Sequence, residues 1–330
     1  MAAHFDPPEY PCKKSTLPPR PKLTGEQEGK YKQVLQFLQE KTEFPTSEKG
    51  AEKNSGPMEP LTDEEKAWLS EECILRYLRA TKWNVADAQK RLLSTLGWRR
   101  EFGVERTRSN TITADRVAVE NESGKELIFG FDNDSRPCLA LRNGRQNTEA
   151  SHRQVEHMFF MLERAIDYMP PGQEQLALLI DFKAHTKLGK KVPSMTTGRQ
   201  VLHILQTHYP ERLGKALLTN LPWIAWTFMK IIHPFIDPTT REKLVFTKPF
   251  PDYVPKEQLE KEYGGDVDFE YQHAKYWPKM NEIADKKHAA FMAQYHKLGG
   301  GIGLSEEKMR QPLDADDQAT LVGGMKKLSV

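Results

Sequence analysis

Cysteine is scarce in this sequence. Its 330 residues hold three, Cys12, Cys73 and Cys138, far apart and odd in number. That argues against a disulfide framework and for a reducing compartment, and the absence of metal-ligand spacing argues against structural zinc. Long apolar runs are missing too: no stretch approaches the roughly 20 residues of a membrane-spanning helix. Residues 1–6 lack the basic and then apolar blocks of a secretory signal. Neither sign of charge dominates. A formal net charge of +2 gives no basic signature, and no nucleic-acid partner is expected. Also absent are a Gly-x-Ser-x-Gly elbow and a Walker-type phosphate loop, so no catalytic residue is assigned and the chain reads as a non-enzyme. Internal repeats are absent as well.

What is present is ordinary globular composition, 38% hydrophobic and 28% charged, in a chain long enough for one large or two small cores. Residues 1–23, with Pro7, Pro8, Pro11, Pro18, Pro19 and Pro21, read as a disordered leader. Thr24 with Gln27 and Thr62 with Glu65 are capping boxes, and residues 45–60 between them read as a polar linker. Asn84 caps a further helix that Gly103 ends. A helical module is therefore expected over 24–105. From about residue 115 the pattern turns α/β. Glu126–Phe131 and Cys138–Arg142 flank a turn and predict a hairpin. Ser151 opens a helix that Pro170, Pro171 and Gly172 stop. Leu176–Phe182, Lys215–Thr219 and Leu244–Thr247 are short apolar runs of the kind covered on both faces, separated by helices, which predicts a mostly parallel sheet. A C-terminal helix is expected within 271–298, followed by a flexible tail, 299–330.

The segment Leu221–Phe235 is the most unusual. Pro222 suits a first helical turn, and Trp223, Ile224, Trp226, Phe228, Met229, Ile231, Ile232 and Phe235 make the helix apolar nearly all round. Such a helix is buried or touches lipid. A central core helix is the plain alternative. Three histidines, His185, His203 and His208, raise haem or metal binding, against the commoner reading of packed or solvated side chains. Lys187, Lys190 and Lys191 form a charge run that reads as a solvated loop, with anionic lipid headgroups as the functional alternative.

Three stretches carry a resemblance: YPERLGKALLTNLPWIAWTFMKIIHPFIDPTTREKL, ILRYLRATKWNVADAQKRLLSTLGWRREFG, and Tyr263-Gly264-Gly265. Together they resemble the CRAL-TRIO lipid-binding family, in its yeast secretory phosphatidylinositol/phosphatidylcholine transfer branch. The runs GRQNTEASHRQVEHMFFMLERAIDYMP and VLHILQTHYPERLGKALLTNLPWIAWTF look most like the fungal azole-resistance-associated subgroup. The resemblance implies an α/β fold: a helical N-terminal module, then a CRAL-TRIO domain over 115–270 whose lipid cavity is closed by a gate helix. Trp223, Trp226, Phe228 and Phe235 fall on that gate. Lys82, Glu211, Thr240 and Lys243 fall on the inositol-headgroup positions, where cations, a hydroxyl and carboxylate acceptors suit a phosphodiester and a ring of hydroxyls.

Two departures qualify the match. Thr81 stands where the family often has arginine, which implies retuned headgroup affinity. Leu176, Leu178 and Leu205 stand where phosphatidylcholine-binding members carry hydroxyls, which implies a lost choline-lipid site and a more apolar cavity. The expected function is phosphatidylinositol binding and transfer, supporting phosphoinositide synthesis and sterol homeostasis. The expected ligands are phosphatidylinositol and a second, apolar lipid, with no cofactor and no metal. Membrane surfaces and phosphoinositide kinases are the expected partners. The expected place is the cytoplasm, peripheral to membranes, with lipid droplets or endoplasmic reticulum as the membranes visited. A sterol carrier or a haem binder on the same fold is the alternative.

Overall fold

The structure is a computed structural model that describes residues 4–53, 55–107, 110–183, 195–223, 226–227, 230 and 238–314. The chain divides into two compact units. A helical unit takes Pro19–Thr111, Leu205–Glu211 and Asp285–Val330; a sheet unit takes Met1–Pro18, Ile112–Ile204 and Arg212–Ala284.

In the helical unit the caps act where the sequence places them. Helix α1 (Gly25–Glu40) starts at Thr24, whose hydroxyl accepts from Gln27 N while Gln27 accepts from Thr24 N. The residues after it form a strand pair, β1 (Phe44–Pro45) with β2 (Met58–Glu59), around a short helix α2 (Glu48–Lys53). Helix α3 (Asp63–Trp68) has the second capping box, Thr62 with Glu65. Helices α4 (Glu71–Ala80) and α5 (Val85–Phe102) follow, and α5 ends on Gly103 in the left-handed conformation. Val34, Leu38, Leu69, Ile74, Leu78, Leu92 and Leu96 form their common core; burying each such side chain contributes about 1.5–3 kcal/mol.

The sheet unit opens with helix α6 (Ala114–Val117) and then the expected hairpin, β3 (Glu126–Phe131) antiparallel to β4 (Pro137–Arg142). A bulge lies between Ile128 and Phe131. Gly130 sits there at φ +72°, and a Cβ on it would meet Gln258 O at 2.0 Å, so both the turn of the backbone and the close approach require glycine. Helix α7 (His152–Asp167) packs its Val155, Phe159 and Leu162 face against β3 and β4. Strand β5 (Leu176–Asp181), helix α8 (Met195–His208), strand β6 (Leu213–Thr219), helix α9 (Pro238–Glu242) and strand β7 (Leu244–Phe246) complete the α/β alternation. The sheet order is β3-β4-β5-β6-β7, parallel from β4 onward. Helix α10 (His273–Lys297) runs from one unit's residues into the other's.

Three expectations about irregular segments need correcting. The leader is not loose: His4 bridges Phe269, Thr16 N donates to Asn133 O, and Pro7 is buried. Residues 45–60 are not a free linker, because their backbone is clipped by Arg100. That buried guanidinium, ion-paired with Glu65, donates to the carbonyls of Phe44, Pro45 and Pro60. The start of the tail is also held. Helix α11 (Glu306–Met309) is capped by Ser305, and the buried Glu72 carboxylate accepts from Ser305 Oγ and Glu307 N at 3.1 Å each. Residues 315–330 lie outside the described residues.

Removing Arg100 would leave the Glu65 carboxylate buried without its cation and three carbonyls without a donor. Arg100→Ala should destabilise the helical unit by about 3–5 kcal/mol, read from denaturant unfolding, with faster amide exchange across 44–60. Wild-type stability in that variant would contradict the clip.

Candidate functional site

The carboxyl ends of parallel strands are where an α/β sheet leaves a crevice. Here a cavity of about 230 Å³ opens there, lined among others by Asp181, Lys183, Asn220, Lys248, Glu262 and Tyr263. Its centre is Asp181, 5% exposed at the end of the middle strand. One carboxylate oxygen accepts from Asn220 Nδ2 at 2.7 Å and Lys183 N at 2.8 Å; the other accepts from the Tyr263 hydroxyl at 3.0 Å. Burial pushes the Tyr263 phenol far above the ordinary tyrosine range, with Asp181 adding to the shift and Arg142 opposing it. Tyr263 therefore stays a donor. Asn220 and Thr247, following β6 and β7, hold left-handed backbone at φ +53° and +55°, a conformation a β-branched threonine rarely adopts.

The residues expected at the headgroup are divided between the units. In the helical unit, Lys82 follows α4 at φ +51° and is exposed; Glu211 follows α8 at φ +60° and is half-buried. Thr81 uses its hydroxyl to close α4, donating to Tyr77 O at 2.9 Å. Glu211 faces a cation that the sequence reading missed, Arg91. That guanidinium donates to Thr207 O at 2.9 Å and lies 5.7 Å from the Tyr77 ring centroid. Burial pulls its pKa down, while Tyr77 and Glu211 oppose the shift. No local pattern in the sequence marks Arg91; only the return of residues 206–211 to the same unit gives it partners. In the sheet unit, Thr240 lies in α9 and Lys243 directly follows it. Lys243 N donates to Thr240 O at 3.1 Å and Lys243 O accepts from Ala216 N at 2.9 Å, which fixes their three-residue spacing at the start of β7.

The three leucines divide likewise. Leu176 and Leu178 share one face of β5, the first buried and the second half-buried; Leu205 is half-buried on α8. None of them lines the polar cavity at the carboxyl ends. Of the residues expected on a gate, Trp223 is 75% exposed and Trp226 is 38% exposed, its ring 5.2 Å from that of Phe246 in β7. Trp226 N donates to Pro222 O, closing the helical turn that Pro222 predicts. Phe228 and Phe235 lie outside the described residues, as do His185, Lys187, Lys190 and Lys191. His208 is a packed histidine: its ring stacks on Trp98 at 4.3 Å, with Thr95 Oγ1 3.1 Å from Nδ1. His203 is exposed.

A five-stranded, mostly parallel sheet behind a helical N-terminal region has known counterparts. Residues 121–265 match the CRAL/TRIO domain, and residues 30–94 match the CRAL/TRIO, N-terminal domain. The chain is 41% identical over 321 residues to the phosphatidylinositol transfer protein PDR17 of Saccharomyces cerevisiae, covering 92% of this chain and 91% of that one. The chain belongs to the CRAL-TRIO family. It is also 49% identical over 284 residues to a CRAL-TRIO domain-containing protein of Schizosaccharomyces pombe, C23B6.04c; the match covers 86% of this chain but only 27% of that longer protein. A crystal structure titled Sfh5 shares the fold, with a TM-score of 0.53 at 16% identity, covering 78% of this chain and 93% of that one. In CRAL-TRIO terms, the Tyr-Gly-Gly segment that marks the end of the domain supplies the Tyr263 hydroxyl to Asp181.

Hydrogen bonds to an ionised group are worth about 1.5–3 kcal/mol. Tyr263→Phe should lose that amount from the sheet unit and speed amide exchange over 259–267. An unchanged unfolding midpoint would mean that this bond does not secure the carboxyl end of the sheet.

Proposed function

We propose that this chain binds phosphatidylinositol and carries it between membranes, without catalysing a reaction. The observation that carries the reading is backbone strain at the headgroup positions: two non-glycine residues, Lys82 and Glu211, are both held at positive φ. Such conformations cost about 1–3 kcal/mol each and cluster at ligand clamps. The helical unit adds Arg91, a half-buried cation whose charge Glu211 favours, and the sheet unit separately offers the Thr240–Lys243 pair. Cations for a phosphodiester, a hydroxyl, and a carboxylate for ring hydroxyls make the complement an inositol phospholipid needs. The name of the PDR17 relative points to the same lipid.

A second, apolar guest fits the same reading, on the evidence of the leucines. Leucine side chains at 176, 178 and 205 offer a phosphate no donor, and each unpaired acceptor costs about 1–3 kcal/mol, more when charged. Two or three such losses are orders of magnitude in affinity. Phosphatidylcholine is thereby disfavoured and a sterol or hydrocarbon tolerated. The exposed tryptophans at 223 and 226 belong to a gate that opens at a membrane surface, which makes the protein a peripheral visitor. No described helix is long and apolar enough to cross a membrane. Delivered phosphatidylinositol would feed phosphoinositide kinases in the cytoplasm, with lipid droplets or endoplasmic reticulum as membranes served, and its exchange would bear on sterol homeostasis.

Combined Glu211→Ala and Lys243→Ala should abolish phosphatidylinositol transfer between vesicles while circular dichroism and melting stay near wild type. Full transfer by the folded double variant would sink the headgroup assignment. The unmodified protein should move no measurable phosphatidylcholine, and Leu176→Ser, Leu178→Thr and Leu205→Ser together should restore some. Equal transfer of both lipids by the unmodified chain would refute the choline argument.

A further inference from the structure

The leader carries a pattern that lipid transfer does not use: Pro7-Pro8-Glu9-Tyr10, followed by Pro11. A polyproline II helix has three residues per turn. In that conformation Pro7 and Tyr10 would fall on one side, a turn apart, with Pro8 beside the first; here the backbone bends at Glu9 and Tyr10, and a partner would straighten it. Two adjacent prolines fill a groove between aromatic rings, and a tyrosine one turn on fills a second pocket. That is the ligand of a WW-class domain, which reads such segments through their preformed backbone. We propose that residues 7–10 are a docking motif for a partner protein bearing a WW-class domain, and that the leader's contacts with the sheet unit hold the motif partly closed.

The structure supplies both halves. Tyr10 is 61% exposed, an uncommon state for so large a ring, while Pro8 and Glu9 are half-buried and Pro7 is buried. The segment is neither helix nor strand between His4 and the turn at Lys13. Attachments hold both of its flanks. His4 exchanges backbone bonds with Asp268 and Glu270 at 2.7 and 3.0 Å, and the Lys275 ammonium lies 3.6 Å from the Phe5 ring centroid. On the other side, Lys14 pairs with Glu257 at 2.8 Å in solvent. Within the motif, Gln258 Nε2 donates to Tyr10 O at 3.3 Å. Prolines at 7, 8 and 11 have no N–H to give. Contacts of this kind open at the low-stability end of a fold. A WW-class domain would seize Tyr10 first and require Pro7 to lift, so the intact chain binds more weakly than the free segment by the fraction lifted.

The test is calorimetric titration of an isolated WW domain that selects Pro-Pro-x-Tyr peptides into three samples: a peptide of residues 4–15, the full chain, and the full chain carrying Phe5→Ala. A lifted population of about one in ten makes the full chain about tenfold weaker than the peptide. Phe5→Ala should narrow that gap, and Tyr10→Ala should abolish binding by both peptide and chain. The proposal is overturned if the peptide binds and the full chain does not. It is equally overturned if Tyr10→Ala leaves binding intact, or if only an SH3-class domain binds, through Pro18 and Pro21.

Discussion

Asp181 ends the middle strand of the sheet, and its carboxylate accepts hydrogen bonds from three separate places: the residue two positions on, the end of the neighbouring strand, and Tyr263 some 80 residues later. A carboxylate that deep in a protein is tolerated only when its lone pairs are occupied. Satisfying it therefore dictates where Asn220 turns after β6 and where the closing turns of the domain return. The left-handed residues Asn220 and Thr247 lie on the same rim. Strain and charge are concentrated at the sheet's carboxyl end, beside the point where the chain enters its apolar, tryptophan-bearing segment. The parallel strands themselves carry little but Leu, Ala, Val and Ile, which suits burial on both faces.

On the proposed function, the same economy would govern ligand choice. A lipid carrier cannot solvate a headgroup inside an apolar cavity, so each polar atom of the guest needs a named partner on the protein. In this chain the cations and acceptors stand at element ends: Lys82 after α4, Glu211 after α8, and Thr240 and Lys243 around the start of β7. The deeper strand positions are leucine. A residue that cannot donate does more to select against a phosphate than any favourable contact does to select for another lipid, since the cost of an unpaired buried acceptor exceeds the net gain of a made bond.

Much of this architecture was legible in the sequence because its signals are local. The Thr24 and Thr62 capping boxes, the Asn84 cap, the Gly103 stop and the hairpin before Arg142 depend on residues close in sequence, and all appear as read. The headgroup positions are proposed from the family resemblance, and periodicity alone would not have suggested them. What stayed hidden depends on distant partners. The leader and residues 45–60 are polar or proline-rich, so composition suggests loose chain. Yet Arg100 gathers two carbonyls of the second together with that of Phe44 just before it, and Asp268, Asn133 and Glu257 pin the first. Glu72 fastens the post-glycine tail in the same manner. No local pattern marks Arg91 on its helix, and only the return of residues 206–211 makes it a partner for Glu211.

Which lipid the chain carries decides between the proposed function and its rivals. The direct measurement is mass spectrometry of lipids extracted from the full chain purified from a eukaryotic host, with an absorption spectrum of the same sample. Phosphatidylinositol near one per chain is the predicted result, with phosphatidylcholine at background, any additional guest wholly apolar, and no Soret band. Phosphatidylcholine as the main lipid, or stoichiometric haem, would contradict it.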